Sequence, residues 1–182
     1  MLGCERVFVV TNRSLAGSAA LDAIVGVLGR RYAGRYDGML AHSPRDCVIA
    51  GAAAARQAGA DKLLALGGGS VIDGAKAMLL CLRHGYTRPE QMEPHANVRP
   101  VDLGHAPADA AQWLRLIAIP TTLSGAEFAA PAGVTDTARG LKHGFVNPMQ
   151  IPQSVILDPA MTLGTPLELL RSTGMKAIDH AV

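Results

Sequence analysis

Apolar residues along the chain alternate between two periods. ERVFVVTN (5–12) is a short run rich in β-branched and aromatic residues and predicts a strand. SAALDAIVGVLGRRY (18–32) then places Leu21, Ile24, Val25 and Leu28 three and four apart, which predicts a helix. YDGMLAH (36–42) reads as a second strand, and PRDCVIAGAAAARQAGA (44–60) as a small-residue helix with Pro44 suited to its first turn. KLLALGG (62–68) reads as a third strand and SVIDGAKAMLLCLRHG (70–85) as a third helix ending at Gly85. LRLIAIPTT (114–122) and SVILDP (154–159) read as further strands. Strands that alternate with helices through short connections predict an α/β fold, a parallel sheet covered on both faces with right-handed crossovers.

Three segments depart from that rhythm. Residues 86–112 hold Pro89, Pro94, Pro100 and Pro107 with little periodicity and read as a surface excursion. Within 127–149, EFAAPAGVTD and GLKHGFVN flank the polar turn TARG and predict a β-hairpin. TPLELLRSTGMKAIDHAV (165–182) is helical, with Thr165 expected as N-cap and Pro166 in the first turn.

Composition narrows the class. The chain has 182 residues, 49% hydrophobic and 18% charged, with a formal net charge of +2. There is no long basic run and there are few aromatics, so neither a nucleic acid nor an anionic membrane is an implied partner. The apolar stretches are too short to span a bilayer and MLGCERVFVV lacks a signal-peptide pattern, so a cytoplasmic location is the expectation. Cys4, Cys47 and Cys81 lack metal-ligand spacing and read as reduced thiols. His42, His84, His95, His105 and His143 form no ligand-spaced cluster and read as surface or core groups.

The chemistry concentrates in LLALGGGSVIDGAKAM (63–78), where an apolar run passes through three glycines into a helix. Glycines there allow close backbone approach, and the free amides of the helix start favour an anion. Ser70 is placed to cap the helix or donate to a phosphate, so a pyrophosphate is a natural occupant. The plain alternative is a tight strand-to-helix turn with no ligand. The first strand-to-helix turn, TNRSLAGS, lacks a GxGxxG fingerprint, and Ala75 stands where a Walker A loop needs Lys.

GGGSVIDGAKA resembles the signature of the iron-containing alcohol dehydrogenase family, in the superfamily that includes dehydroquinate synthase. IPTTLSGAE (119–127), VILDPAMTLGTP (155–166) and STGMKAIDHAV (172–182) follow in that family's order. PTTLSGAE and AHSP look most like its maleylacetate reductase branch. The resemblance implies a Rossmann-like dinucleotide-binding domain over residues 1–160, then the first helices of an α-helical domain over 161–182. It implies NAD or NADP as cofactor and hydride transfer between nicotinamide and a carbonyl or alcohol, with the active site in the cleft between the domains. Gly68, Gly69 and Ser70 fall at the pyrophosphate turn. Thr121, Thr122 and Ser124 match the loop lining the cofactor's adenosine and phosphates. Lys142 matches the lysine beside the nicotinamide ribose, and Met161 a backbone contact near it. Asp73 either orients the loop and reaches bound groups, or complements the helix dipole as a first-turn acid.

Two positions depart from the family pattern. Asn12 stands where an acid often binds the adenosine ribose, so mixed use of NAD and NADP is expected; a simple turn-forming Asn is the alternative. Lys176 stands where metal-using members have an Asp four residues before the histidine matched by His180. An ammonium has no lone pair for a metal, and Asp179 points about 100° away from His180 on a helix. No tightly bound iron or zinc is therefore expected. Lys176 could instead polarise the substrate carbonyl, or simply pair with Asp179 in solvent. His180 is either a substrate-cleft group or a satisfied helix histidine. Family members run considerably longer, so the chain reads as a fragment whose activity alone is open. The expectation is an NAD(P)-dependent dehydrogenase or reductase acting on a small-molecule substrate, first a maleylacetate-like oxo acid and next a simple alcohol or aldehyde, as a homodimer. A non-catalytic nucleotide-binding module and a dehydroquinate-synthase-like lyase are the alternatives.

Overall fold

The computed structural model describes residues 3–98, 105 and 107–179. Its centre is a five-stranded parallel sheet. In chain order the elements are β1 (Val7–Val10), α1 (Ala19–Leu28), β2 (Tyr32–Tyr36), α2 (Arg45–Gln57), β3 (Lys62–Gly67), α3 (Gly69–His84) and β4 (Arg115–Pro120). A two-stranded antiparallel hairpin follows, β5 (Ala132–Asp136) and β6 (Leu141–Phe145), then β7 (Ser154–Val155) and α4 (Leu167–Asp179). The sheet order is β2-β1-β3-β4-β7. The order reverses between β1 and β3, so their carboxyl ends diverge and leave a crevice, the usual ligand position in open α/β sheets.

The period of two in each central strand divides the core. Phe8 and Val10 of β1 join Leu63 and Ala65 of β3 and Leu116 of β4 under α2 and α3. Val7, Val9, Leu64, Leu66, Ile117 and Ile119 point the other way, against Leu21 and Ile24 of α1. β1 and β3 are buried on both faces, as interior strands of a parallel sheet are.

The second strand lies earlier than expected. The predicted helix over 18–32 ends at Leu28, where Gly29 adopts φ 51° and makes the C-cap. The chain then enters β2 at Tyr32, not at Tyr36. β2 is a sheet edge with half-exposed residues, so it needs no apolar run. The apolar stretch at 36–42 is instead a loop whose Met39 is buried against α3 beside Gly74. It turns through His42 and Ser43, with φ of 62° and 50°.

The remaining corrections are smaller. Residues 89–95 form a 3₁₀ turn anchored by the fully buried Met92, while the other described residues of 86–112 are exposed or half-buried. The strand expected over 154–159 contracts to Ser154–Val155, because the chain turns at Pro159 into a 3₁₀ segment. Thr165 donates its hydroxyl to the Thr121 carbonyl at 2.6 Å, tying the start of α4 to the loop after β4. Arg45, only 4% exposed, fastens α2 to the hairpin: its guanidinium contacts Glu93 at 2.8 Å and His143 Nδ1 at 2.6 Å, and lies 3.6 Å from Asp136. Among the described residues no helix is long and apolar enough to cross a membrane.

β3 turns into α3 within two residues, and Gly67 makes this possible. A Cβ there would lie 2.6 Å from Val71 Cγ2 and 2.8 Å from Val71 Cβ, with φ at +157°. Gly67→Ala is expected to lose about 1–3 kcal/mol of stability through overpacking, read as a lower midpoint in urea unfolding; an unchanged midpoint would mean the turn relaxes freely.

Candidate functional site

The carboxyl ends of β1, β3 and β4 open into one cavity of about 650 Å³. Each strand contributes its exit. β1 delivers Asn12, whose Oδ1 accepts from the Ser14 hydroxyl at 2.7 Å and the Leu15 amide at 3.2 Å. β3 delivers Gly68, Gly69 and Ser70 at the start of α3. β4 delivers Thr121, Thr122 and Ser124. These residues all line the cavity together with Asp73, Lys142 and Lys176. Of the other candidates, Met161 does not: it packs against the apolar cluster beneath α1. His180 lies outside the described residues.

The glycine turn is shaped by its neighbours. Gly68 has extended backbone and acts as the N-cap of α3, so Ser70 sits inside the first turn and does not cap the helix. The first i−4 bond runs from the Ile72 amide to the Gly68 carbonyl at 3.1 Å. The amides of Gly69 and Ser70 precede it and have no acceptor within the helix. A Cβ at Gly68 would lie 2.9 Å from Thr122 Cγ2, and one at Gly69 would lie 2.9 Å from Ser124 Oγ. The loop after β4 therefore closes onto the turn only because two side chains are missing. The Thr121 amide completes the join by donating to the Gly67 carbonyl at 3.1 Å.

The loop before α2 forms the opposite wall. The His42 amide donates to Ser70 Oγ at 2.9 Å, and the Ser43 hydroxyl to the Ser70 carbonyl at 2.7 Å. Thr135 of β5 holds this loop in turn, its hydroxyl donating to the His42 carbonyl at 2.9 Å. AHSP thus fixes Ser70 from outside the helix, a contact between residues 28 positions apart that no local pattern signals.

Three charged side chains also line the cavity, Asp73, Lys142 and Lys176. Asp73 Oδ2 accepts from the Gly133 amide at 3.1 Å, which orients β5. It is not a first-turn acid of α3. Burial pushes the Asp73 carboxyl above its ordinary pKa, opposed by Lys76, the Gly133 amide, Lys142 and Lys176. The Lys142 side chain passes over Gly133, where a Cβ would lie 3.0 Å from Lys142 Nζ. Lys176 reaches the same space from α4, which the Leu123 amide anchors by donating to Thr173 Oγ1 at 3.2 Å. Two exposed lysines and a helix N-terminus against one partly buried carboxylate leave this end of the cavity electropositive.

Lys76 is the functional-site neighbour that sequence reasoning missed. It is fully buried beneath the loop after β4. The available signal was its position: a charged residue on a helix that is apolar nearly all round, three residues after Asp73. The remaining acid-histidine group lies elsewhere. Glu93, Asp136 and His143 bring ligand atoms within 4.8 Å of one another. Arg45 contacts all three, so a guanidinium already supplies the cation there.

Comparison with known proteins agrees with this arrangement. The family model described as iron-containing alcohol dehydrogenase matches residues 1–159. A dehydrogenase named FUM7, from Gibberella moniliformis, is 37% identical over 190 residues, covering 100% of this chain and 44% of that protein. Maleylacetate reductase 2 of Cupriavidus pinatubonensis is 34% identical over 181 residues, covering 100% of this chain and 41% of that protein. The crystal structure of a maleylacetate reductase from Agrobacterium tumefaciens superposes with a TM-score of 0.74 at 29% identity, covering 99% of this chain and 42% of that one. The chain spans less than half the length of these relatives. The match over residues 1–159, the parallel sheet and the glycine turn pressed against the loop after β4 agree on one assignment: the chain belongs to the iron-containing alcohol dehydrogenase family.

Proposed function

We propose that the cavity binds a nicotinamide dinucleotide and that the chain is the cofactor-binding part of an NAD(P)-dependent oxidoreductase acting on a carbonyl or alcohol. One observation carries this reading: the amides of Gly69 and Ser70, which have no acceptor within α3, lie at a cavity at the reversal point of the sheet. The cradle suits the ligand, because side chains at Gly68 and Gly69 would close the approach that the diphosphate needs. Thr121, Thr122 and Ser124 supply the facing wall. The nicotinamide, when bound, supplies or accepts the hydride; the chain orients it and excludes water. On this reading residues 161–182 begin a second, helical domain that closes the cleft, and the exposed Leu167, Met175 and Ile178 of α4 suit a homodimer.

Lys142 and Lys176 support an anionic substrate, first an oxo acid of the maleylacetate kind and next a simple aldehyde. Lys176 would donate a hydrogen bond to the carbonyl oxygen as negative charge develops there. Its ammonium cannot ligate a metal, so the donor set on α4 does not fit a tightly held iron, and a metal-independent reaction is the reading. Asn12 supports use of both cofactors: its Oδ1 is engaged within its own turn, and no carboxylate stands there to repel a 2′-phosphate.

Fluorescence titration tests the central reading. NADH should bind the chain, and Gly69→Val should weaken it about tenfold or more by forcing Ser124 away; no association at millimolar NADH would end the proposal. NADH and NADPH should bind within about tenfold of one another, and Asn12→Asp should selectively weaken NADPH. Strong rejection of NADPH by the unmodified chain would remove the role given to Asn12. In a dehydrogenase of the relatives' length that carries these residues, Lys176→Met should lower kcat for oxo-acid reduction by about a hundredfold while leaving NADH affinity unchanged. A stoichiometric iron or zinc lost on His180→Ala would overturn the metal-free reading.

A further inference from the structure

We infer that Lys76 is a positioning residue: its buried ammonium holds residues 126–131 against α3 and so sets the cavity wall that faces the α3 N-terminus. Lys76 has no exposed surface. An ammonium has three donors and no acceptor. Here Nζ donates to the carbonyls of Ala126 at 2.6 Å, Ala129 at 2.6 Å and Pro131 at 3.2 Å. Three donors thus meet three backbone acceptors converging from one irregular segment. No neutral side chain of that length offers the same set.

The segment needs such a partner. Between the short 3₁₀ turn at Ala126–Phe128 and the start of β5 it has no ladder of its own. A buried ammonium is tolerated only when its donors are paired, and these three carbonyls supply the acceptors. Ala126, Ala129 and Pro131 all line the cavity. Gly133, two residues on, is fixed by Asp73, one turn before Lys76 on the same helix. The Lys76 carbonyl also accepts from Gln150 Nε2 at 3.1 Å, so the segment at 148–150 is tied to the same point of α3.

The same ammonium governs the charge of the cavity floor. Its Nζ lies 3.8 Å from Asp73 Oδ1. Lys76 is the strongest of the groups that favour the ionised Asp73 against burial, ahead of Lys142 from β6 and Lys176 from α4. Asp73 and the buried Glu127 in turn favour the charged form of Lys76, whose pKa burial lowers. Removing Lys76 therefore loosens one wall and shifts the titration of a carboxylate that lines the site.

The anchoring stands on its own contacts, while its effect on ligand affinity rests on the dinucleotide reading. Hydrogen exchange of the full chain separates the two. In Lys76→Met and Lys76→Gln, amides of 125–133 should exchange about tenfold or more faster, with β1 and β3 unchanged. Where NADH binds the unmodified chain, Lys76→Met should also gain a pH inflection in NADH affinity that disappears in Lys76→Met combined with Asp73→Asn. Unaltered exchange at 125–133 in both variants would overturn the inference. Faster exchange there, with no NADH binding even to the unmodified chain, would support the anchor and sink the dinucleotide reading instead. Should neither variant fold, nitrogen-15 spectra of the unmodified chain decide: Nζ protons that exchange slowly at neutral pH support the anchor, and rapidly exchanging ones overturn it.

Discussion

The site depends on what is absent from three consecutive positions. At Gly67, Gly68 and Gly69 a Cβ would run into Val71, Thr122 and Ser124, respectively. Without those atoms β3 passes into α3 almost without a loop, and the segment after β4 lies directly on the junction. The amides at the helix start are then flanked by two walls, the Thr121–Ser124 segment on one side and the His42–Ser43 turn on the other. A helix N-terminus open to bulk water would hold an anion weakly; one inside a walled crevice keeps more of its electrostatic strength.

The charged groups extend this logic inward. Lys76 and Arg45 are both almost wholly buried, and each gathers backbone or side-chain acceptors from segments distant in the chain. Lys76 joins α3 to the segment leading into β5, and Arg45 joins α2 to the far end of the same hairpin. The hairpin is antiparallel and outside the main sheet. Ala132, Val134 and Phe145 pack it on the core, Thr135 joins it to the His42–Ser43 turn, and the two buried cations fasten its ends. Lys142, carried on β6, reaches the cavity because the hairpin is held there.

The match to the iron-containing alcohol dehydrogenase family covers the parallel sheet and the hairpin, and stops short of α4. In α4 no described residue is buried, and hydrogen bonds of Thr165, just before it, and of Thr173 link it to the loop after β4. The helix nonetheless carries Lys176 to the cavity rim.

Much of this was legible from local pattern. The apolar runs of β1 and β3, the helical patterns of α2 and α3, the hairpin around TARG and the glycine turn all follow from residues close together in the chain, because periodicity and φ preference act over a few residues. The positions that the family resemblance, not periodicity, assigned to the cofactor lie apart in the chain, and nearly all of them line one cavity. What the local pattern could not decide was long-range. β2 is a strand because its edge position lies next to β1, not because its residues demand one, and the more apolar 36–42 became a loop because Met39 fits beside Gly74. Ser70 acts through His42 and Ser43, Asp73 through Gly133, and Lys76 through three carbonyls some 50 residues away. Those partners are chosen by how the sheet stacks its helices and loops, and only the folded chain brings them within hydrogen-bond reach.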